Sequence, residues 1–397
     1  MILLDEALAA VDAALTGAAP AAETVPVREA LGRVLAADQH SRLDLPPFDK
    51  SAMDGYAVLP GDEREAYRLL ETVAAGQTPT ARLEPGTAVK VMTGAPVPDG
   101  AGKVIIREVT DEAGETVRVR RHDASDNICR QGEDIRAGDP VLQAGRALDA
   151  LDAANLVSCG ITEVPVAARL RMAILSTGDE IVDDPAALRP GRIMNANGPM
   201  LAGLAAAHGL TVVAEQSVPD APEPTVAALR GALEAADIVV LSGGVSVGEY
   251  DYVLAAFERA GLDVHFARIA VKPGKPTVFA TSGGRVVFGL PGNPVSVCVM
   301  FHLFVLRAAA RLCGASPPLR TVHLPLAAGY RRRKANREQF VPARRTADGA
   351  MEPLEYHGSA HLLAMREADG FLRVPIGVVE LAAGDVAGFL PIRRARA

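Results

Sequence analysis

Four short segments between residues 176 and 296 carry side chains suited to holding an anion beside a cation. They are Ser176-Thr177-Gly178-Asp179-Glu180, Ser242-Gly243-Gly244-Val245-Ser246-Val247-Gly248-Glu249-Tyr250-Asp251, Lys272-Pro273-Gly274-Lys275-Pro276 and Pro291-Gly292-Asn293-Pro294-Val295-Ser296. In the second, a Gly-Gly turn lets backbone N–H groups and the Ser246 hydroxyl converge on an anion at a helix start. Such a pair after a strand is more often only a turn. The third is sharper, because two prolines stiffen a loop that holds two ammonium groups near each other. That arrangement costs energy unless an anion or carboxylates neutralise it. Asp179, Glu180 and Asp251 offer hard oxygen ligands for Mg²⁺ between protein and phosphate, and would serve equally as helix caps. Together these groups suit a phosphorylated ligand with a divalent metal. The chain has no G-x-G-x-x-G with a following ribose acid, no P-loop, no G-x-S-x-G and no H-E-x-x-H, so dinucleotide, P-loop, α/β-hydrolase and zincin chemistries have no support. His357 and His361 stand four apart without a third ligand and read as ordinary polar residues.

The elements that must position these loops follow from texture. From 169 onward the pattern alternates: an apolar run at 170–175, helix at 200–208, extended chain at 211–214, helix at 225–235 and a strand at 237–241. It continues with helix at 250–260, extended chain at 264–271, a strand at 286–290 and a long helix at 295–313. Such alternation predicts a parallel α/β sheet with crossover helices, whose ligands bind beyond the carboxyl ends of the strands, where the four segments fall. Upstream, Leu4, Leu8, Val11 and Leu15 recur at helical spacing, and a short second helix is expected over 27–35 after Pro26. Short β-type runs at 88–92, 103–109 and 116–120 predict a β-rich module over 46–140. A helix over 149–158 follows, with Asp149 or Asp152 as its N-cap. After Ser316-Pro317-Pro318 short strands return, consistent with a small β domain. The run Arg331-Arg332-Arg333-Lys334 reads first as a solvated edge or turn, ahead of an anion site.

The chain has 397 residues, a formal charge of −7, 49% hydrophobic and 4% aromatic residues and no Trp. This excludes wholesale disorder, predicts two to four domains and disfavours nucleic acid as a partner. Four well-separated cysteines support neither a disulfide framework nor a metal knuckle. Acidic residues interrupt the apolar amino terminus, and the apolar stretch 295–306 contains His302, so neither a signal peptide nor a membrane span is expected. A cytoplasmic location is the expectation. The run from Arg42 to Ala57, with Pro46, Pro47 and three acids, is either a domain linker or a stiff loop delivering a carboxylate to a shared site.

Seven motifs in order resemble the molybdopterin molybdenumtransferases (MoeA and the E domain of gephyrin). They are Pro46-Pro47-Phe48-Asp49-Lys50-Ser51-Ala52-Met53-Asp54-Gly55-Tyr56-Ala57, Met92-Thr93-Gly94-Ala95, Gly132-Glu133-Asp134-Ile135 and the four segments above. Weaker matches continue at Asn336-Arg337-Glu338-Gln339-Phe340, Gly358-Ser359 and Ala368-Asp369-Gly370. The resemblance implies a multidomain α/β plus β chain in four parts. Residues 1–45 and 141–168 would form one domain, with the β-rich module 46–140 inserted. A central parallel α/β domain, 169–316, would bind molybdopterin, and a small β domain, 317–397, would end the chain. It implies Mg²⁺-dependent insertion of molybdate into adenylylated molybdopterin, releasing AMP and molybdenum cofactor. The neighbouring adenylylation step and a non-catalytic scaffold are the alternatives. It implies a homodimer in which the loop carrying Asp54 and Thr93 faces the α/β crevice of the other subunit, and contacts with the adenylyltransferase and with cofactor-accepting proteins.

By motif match Asp54, Asp134, Glu180, Asp251, Lys272 and Lys275 become catalytic, with Glu180 and Asp251 on the metal. Thr93, Asp220, Gly243, Gly244, Ser246, Arg268, Pro291, Pro294, Arg337 and Ser359 become substrate-binding. Three positions depart from the family's usual pattern: Cys129 stands for an Arg, Arg268 for a Lys and Asn195 for an Asp.

Overall fold

Strands built from unbroken Val, Ile and Leu have no wet face, so the sheet they form must be covered on both sides. The computed structural model, which describes residues 1–122, 124–244, 252–317 and 321–393, has that arrangement at its centre. Six strands lie in the order Thr211–Val218, Arg171–Thr177, Ile238–Ser242, Arg285–Leu290, Val278–Ser282 and Asp263–Phe266. The first four are parallel; Val278–Ser282 runs against them, and Asp263–Phe266 pairs antiparallel with it at the edge. Alternate residues face opposite cores. Met172, Ile174, Val240 and Phe288 pack under the helices Asn197–Ala207 and Pro294–Met300. Ala173, Leu175, Val239 and Val287 pack under Pro222–Ala235 and Tyr252–Arg259. Truncating a fully buried ring such as Phe288 to Ala would cost about 3–5 kcal/mol.

Two sequence expectations are corrected here. The extended chain expected over 264–271 is divided between two sheets. Asp263–Phe266 is the antiparallel edge strand, whereas Val271–Lys272 pairs in parallel with Glu338–Arg345 of the carboxyl-terminal sheet. Between them the backbone bonds to the amino terminus, with the Ile2 N–H donating to Arg268 O at 3.0 Å and the Ala270 N–H to Ile2 O at 2.7 Å. The helix expected over 27–35 is only one 3₁₀ turn, Val27–Glu29. Beyond it the Leu35 N–H donates to Arg146 O, and Val34 bridges Ala147, so long-range backbone partners override local propensity.

The amino-terminal helix Leu4–Ala14 buries Leu4, Ala7 and Val11 in the core that the helix Leu306–Leu312 shares. Ala22–Pro26 pairs instead with Glu163–Ala167. Asp149 caps the helix Ala150–Ser158, accepting from the N–H groups of Leu151 and Asp152, while Asp152 accepts the Asp149 N–H in return. Residues 46–140 contain a six-stranded sheet ordered Lys103–Ile106, Gly55–Val58, Thr87–Val91, Ala66–Val73, Thr116–Val119 and Thr110–Ala113. The carboxyl-terminal sheet runs Val271–Lys272, Glu338–Arg345, Gly370–Val374, Val386–Pro391 and Val322–Pro325. The segment Pro294–Leu312 is long and apolar enough to cross a membrane, with mean hydropathy 1.7, but 78% of it is buried against the fold. Its apolarity is that of a core helix. All four cysteines are free thiols.

Candidate active site

A crevice of about 690 Å³ opens beyond the carboxyl ends of the parallel strands. Its floor is possible only because two loops touch. At Gly243 (φ +100°) a Cβ would lie 2.2 Å from Thr177 O, and Gly244 (φ +66°) is as strained for any other residue. The Gly243 N–H donates to Leu290 O at 3.0 Å, joining this loop to the one carrying Pro291 and Pro294. Glu180, Asp220, Gly243, Gly244, Pro291 and Pro294 line this one crevice. Pro294 occupies the first helical turn, where its missing N–H costs nothing. Ser359 reaches over from the carboxyl-terminal region: its Oγ accepts from Asn293 Nδ2 at 2.8 Å and its carbonyl from the Val295 N–H at 3.1 Å.

The crevice is acidic. Burial pushes the Asp220 carboxyl above the usual range, and the charges of Glu180 and Asp179 push it further. Its own N–H donates to Asp179 Oδ1 at 3.2 Å. These like charges concentrate negative potential at the Asp220 side of the crevice. Among the described residues no three His, Cys, Asp or Glu side chains form a ready metal cage.

Sequence reasoning missed two amides in this crevice. Asn197 Nδ2 donates to Gly292 O at 2.7 Å, and Asn293 makes the bond to Ser359. Asn197 Oδ1 is buried with no partner among the described residues. Single amides in turns leave no periodic signal; the adjoining Pro291-Gly292 turn was the available one.

A second cavity, of about 470 Å³, is basic. Lys272, Arg331, Arg332, Arg333, Lys334 and Arg337 line it beside Tyr330 and Gln339. The 331–334 run is therefore more than the solvated edge expected of it. Arg332 is buried and donates to Val378 O, Arg337 O and Pro375 O. Burial lowers its pKa, yet three carbonyls hold it in place while its neighbours face the cavity. Lys272 stands here because the strand carrying it belongs to the carboxyl-terminal sheet.

Other sequence-selected residues lie apart. Asp54 and Thr93 meet each other: the Thr93 N–H and hydroxyl both donate to Asp54 Oδ1 at 2.7 Å. These bonds, the backbone one first, hold the Asp54 carboxyl below its usual range. Asp134 is exposed on its loop, its N–H bonded to Leu45 O. None of the three lines either cavity. Lys275 is half-buried, its carbonyl accepting the Ile269 N–H, and Arg268 lines a separate hollow near Met1. Ser246 and Asp251 lie outside the described residues.

Three family profiles match the chain in order. They are the MoeA N-terminal region (domain I and II) over residues 2–160, a probable molybdopterin binding domain over 173–311 and the MoeA C-terminal region (domain IV) over 325–392. The molybdopterin molybdenumtransferase of Staphylococcus aureus is 32% identical over 374 residues, covering 91% of this chain and 89% of that protein. That of Staphylococcus epidermidis is 32% identical over 371 residues, covering 90% and 88%. A solved molybdopterin biosynthesis MoeA protein from Pyrococcus horikoshii superposes with a TM-score of 0.86 at 30% identity, over 99% of this chain and 100% of that one. A molybdenum cofactor biosynthesis protein from Pyrococcus furiosus shares the fold at a TM-score of 0.61 and 21% identity, over 99% of this chain and 100% of that one.

Proposed function

The chain belongs to the molybdopterin molybdenumtransferase (MoeA) family, and from that premise we propose that its acidic crevice and its basic cavity serve two halves of one reaction. It is a transferase of molybdenum cofactor biosynthesis that inserts molybdenum into molybdopterin. In our reading the substrate is adenylylated molybdopterin, the metal donor is molybdate, and AMP leaves with Mg²⁺ assistance. The observation carrying this reading is the separation of charge. Glu180 and Asp220 line one hollow, with the charge of Asp179 acting on Asp220, and Lys272, Arg331, Arg333, Lys334 and Arg337 gather in the other.

Each hollow then has a task. Gly243, Gly244, Pro291 and Pro294 shape the crevice for the pterin substrate, and Ser359 closes it from the carboxyl-terminal side. Glu180 and Asp251 would hold Mg²⁺, which when bound neutralises charge on phosphate oxygens. Molybdate is a dianion and needs the fixed cations of Lys272 and Arg337. Lys275, next to the crevice-lining Pro276, stabilises phosphate charge as adenylate departs, while Lys272 serves molybdate in the other hollow. Asp54 and Thr93 act across a homodimer, the loop of one subunit closing the crevice of the other, with Asp134 on the same side. The four-part division set out from the sequence is the domain organisation we adopt, and a cytoplasmic setting with handover from an adenylyltransferase to cofactor-accepting proteins completes the reading.

Purified protein given adenylylated molybdopterin, molybdate and Mg²⁺ is expected to release AMP and form molybdenum cofactor, both dependent on molybdate. Absence of molybdate-dependent AMP release overturns the reading. Mixing inactive Asp54→Ala and Glu180→Gln proteins should restore about a quarter of wild-type activity, because half the dimers then carry one intact shared site. No restoration after confirmed subunit exchange would place Asp54 in its own subunit's chemistry.

A further inference from the structure

The loop from Gly178 to Asn195 hangs over the crevice, and two strands of two residues each give it form: Ile181–Val182 pairs in parallel with Ile193–Met194. This loop carries Glu180 and presents Ile193 and Met194 to the crevice. So small a ladder is marginal alone. What ties it to the domain is a set of side-chain bonds centred on Asn195, which is 8% exposed. Asn195 Nδ2 donates to Asp183 Oδ1 at 3.0 Å, and Ser217 Oγ donates to the other oxygen of Asp183 at 2.9 Å. Asn195 Oδ1 accepts the Gly198 N–H at 3.0 Å and the Ser176 hydroxyl at 3.4 Å. One amide thus links the loop, the end of the strand Arg171–Thr177 and the first turn of the helix Asn197–Ala207.

Only an uncharged amide does both jobs. The site already holds Asp183, and Glu215 Oε1 comes within 2.4 Å of where a Cβ on Gly198 would stand. A carboxylate at 195 would keep the acceptor for Gly198 but lose the donor to Asp183, and would set a buried charge at hydrogen-bond distance from the like charge of the exposed Asp183. We propose that Asn195 is a positioning residue, paired with Asp183, that sets the height of the Glu180-bearing loop over the bound substrate. Asn195 and Asp183 then form a matched pair, in which the amide is needed as the donor to a carboxylate. This rests on the substrate reading above.

The test compares Asn195→Asp, Asp183→Asn and the double substitution in the full-length protein, measuring kcat and KM for adenylylated molybdopterin, with Ser217 and Glu180 retained. Asn195→Asp is expected to raise that KM about tenfold, the size of a strong coupling between touching residues, with the KM for molybdate unchanged. Asp183→Asn alone keeps an acceptor for Nδ2 and should change the KM less than about threefold. The double substitution exchanges the amide and the carboxylate between the two positions, so one donor again faces one acceptor and most of the loss should be recovered. A general folding defect would lower kcat and thermal stability without such recovery. Wild-type KM in Asn195→Asp, or no recovery in the double variant, overturns the proposal. Failure of the wild-type protein to turn over overturns instead the substrate reading on which it stands.

Discussion

The crevice of the α/β domain and the cavity of the carboxyl-terminal domain differ in how their charges are held. The crevice gathers carboxylates on loops that follow buried strands, and burial with mutual repulsion lifts Asp220 out of its usual range. The cavity gathers cations on short exposed strands, anchored through Arg332, whose guanidinium is spent on three backbone carbonyls. A strained acidic site favours a cation and its phosphate ligand; a preorganised cationic one favours a free dianion. The contrast teaches that the net charge of −7 is an average over two local fields of opposite sign.

The comparison can be broken first at Glu180. Glu180→Gln should lower kcat/KM for the adenylylated substrate by about 10²–10³-fold, the scale for removing one fixed charge from a reacting phosphate's surroundings. Lys272→Ala should be milder and different in kind: about a tenfold to hundredfold loss at low molybdate, largely recovered at saturating molybdate, because it removes one charge-assisted bond to that ion. Added sulfate should compete in this cavity and leave the crevice alone.

Stability distinguishes the acids. Asp12 ties the amino-terminal helix to the core through Arg307 and Arg311. Burial raises its carboxyl, but bonds from Arg311 and Arg307 more than offset this and hold it at about 2, from an ordinary 3.8. Its contribution is therefore complete above the ordinary carboxyl range and fades as pH falls towards 2. Asp12→Asn should cost about 1–2 kcal/mol at neutral pH once solvent screening is allowed for, read by denaturant unfolding at pH 7 and pH 3. Asp220 has the opposite sign. Its raised carboxyl favours the folded state when protonated, so the ionised form burdens the fold as pH rises. Asp220→Asn should give a small increase in Tm at pH 7 that shrinks near pH 4, while activity falls. Unchanged or lower Tm would remove the picture of a strained acidic crevice.

How much of this was legible in the residues follows from physical range. The central strands were, because runs such as Ile238-Val239-Val240-Leu241 declare burial on both faces. So was the capped start of the helix over 149–158, although the choice of Asp149 over Asp152 as the cap needed the structure. The loops lining the crevice were legible because glycine and proline mark where backbone geometry is special. The assignment of Lys272 to the other sheet was not, since a two-residue strand has no periodicity and its partner lies more than sixty residues away. The chain over 27–35 reads locally as helix for the same reason, its backbone partners being near 146 and 166. The arginine run reads as a solvated edge because nothing local says that one member is buried to fix the others.

The central claim is that the two hollows take different substrates. The direct test is to measure both Michaelis constants, for adenylylated molybdopterin and for molybdate, in Glu180→Gln and in a Lys272→Ala, Arg337→Ala double variant. The account predicts that the first variant leaves the molybdate constant within about twofold, and that the second raises it at least tenfold without moving the constant for the adenylylated substrate. If both variants move the same constant, the two hollows are one site and the account is wrong.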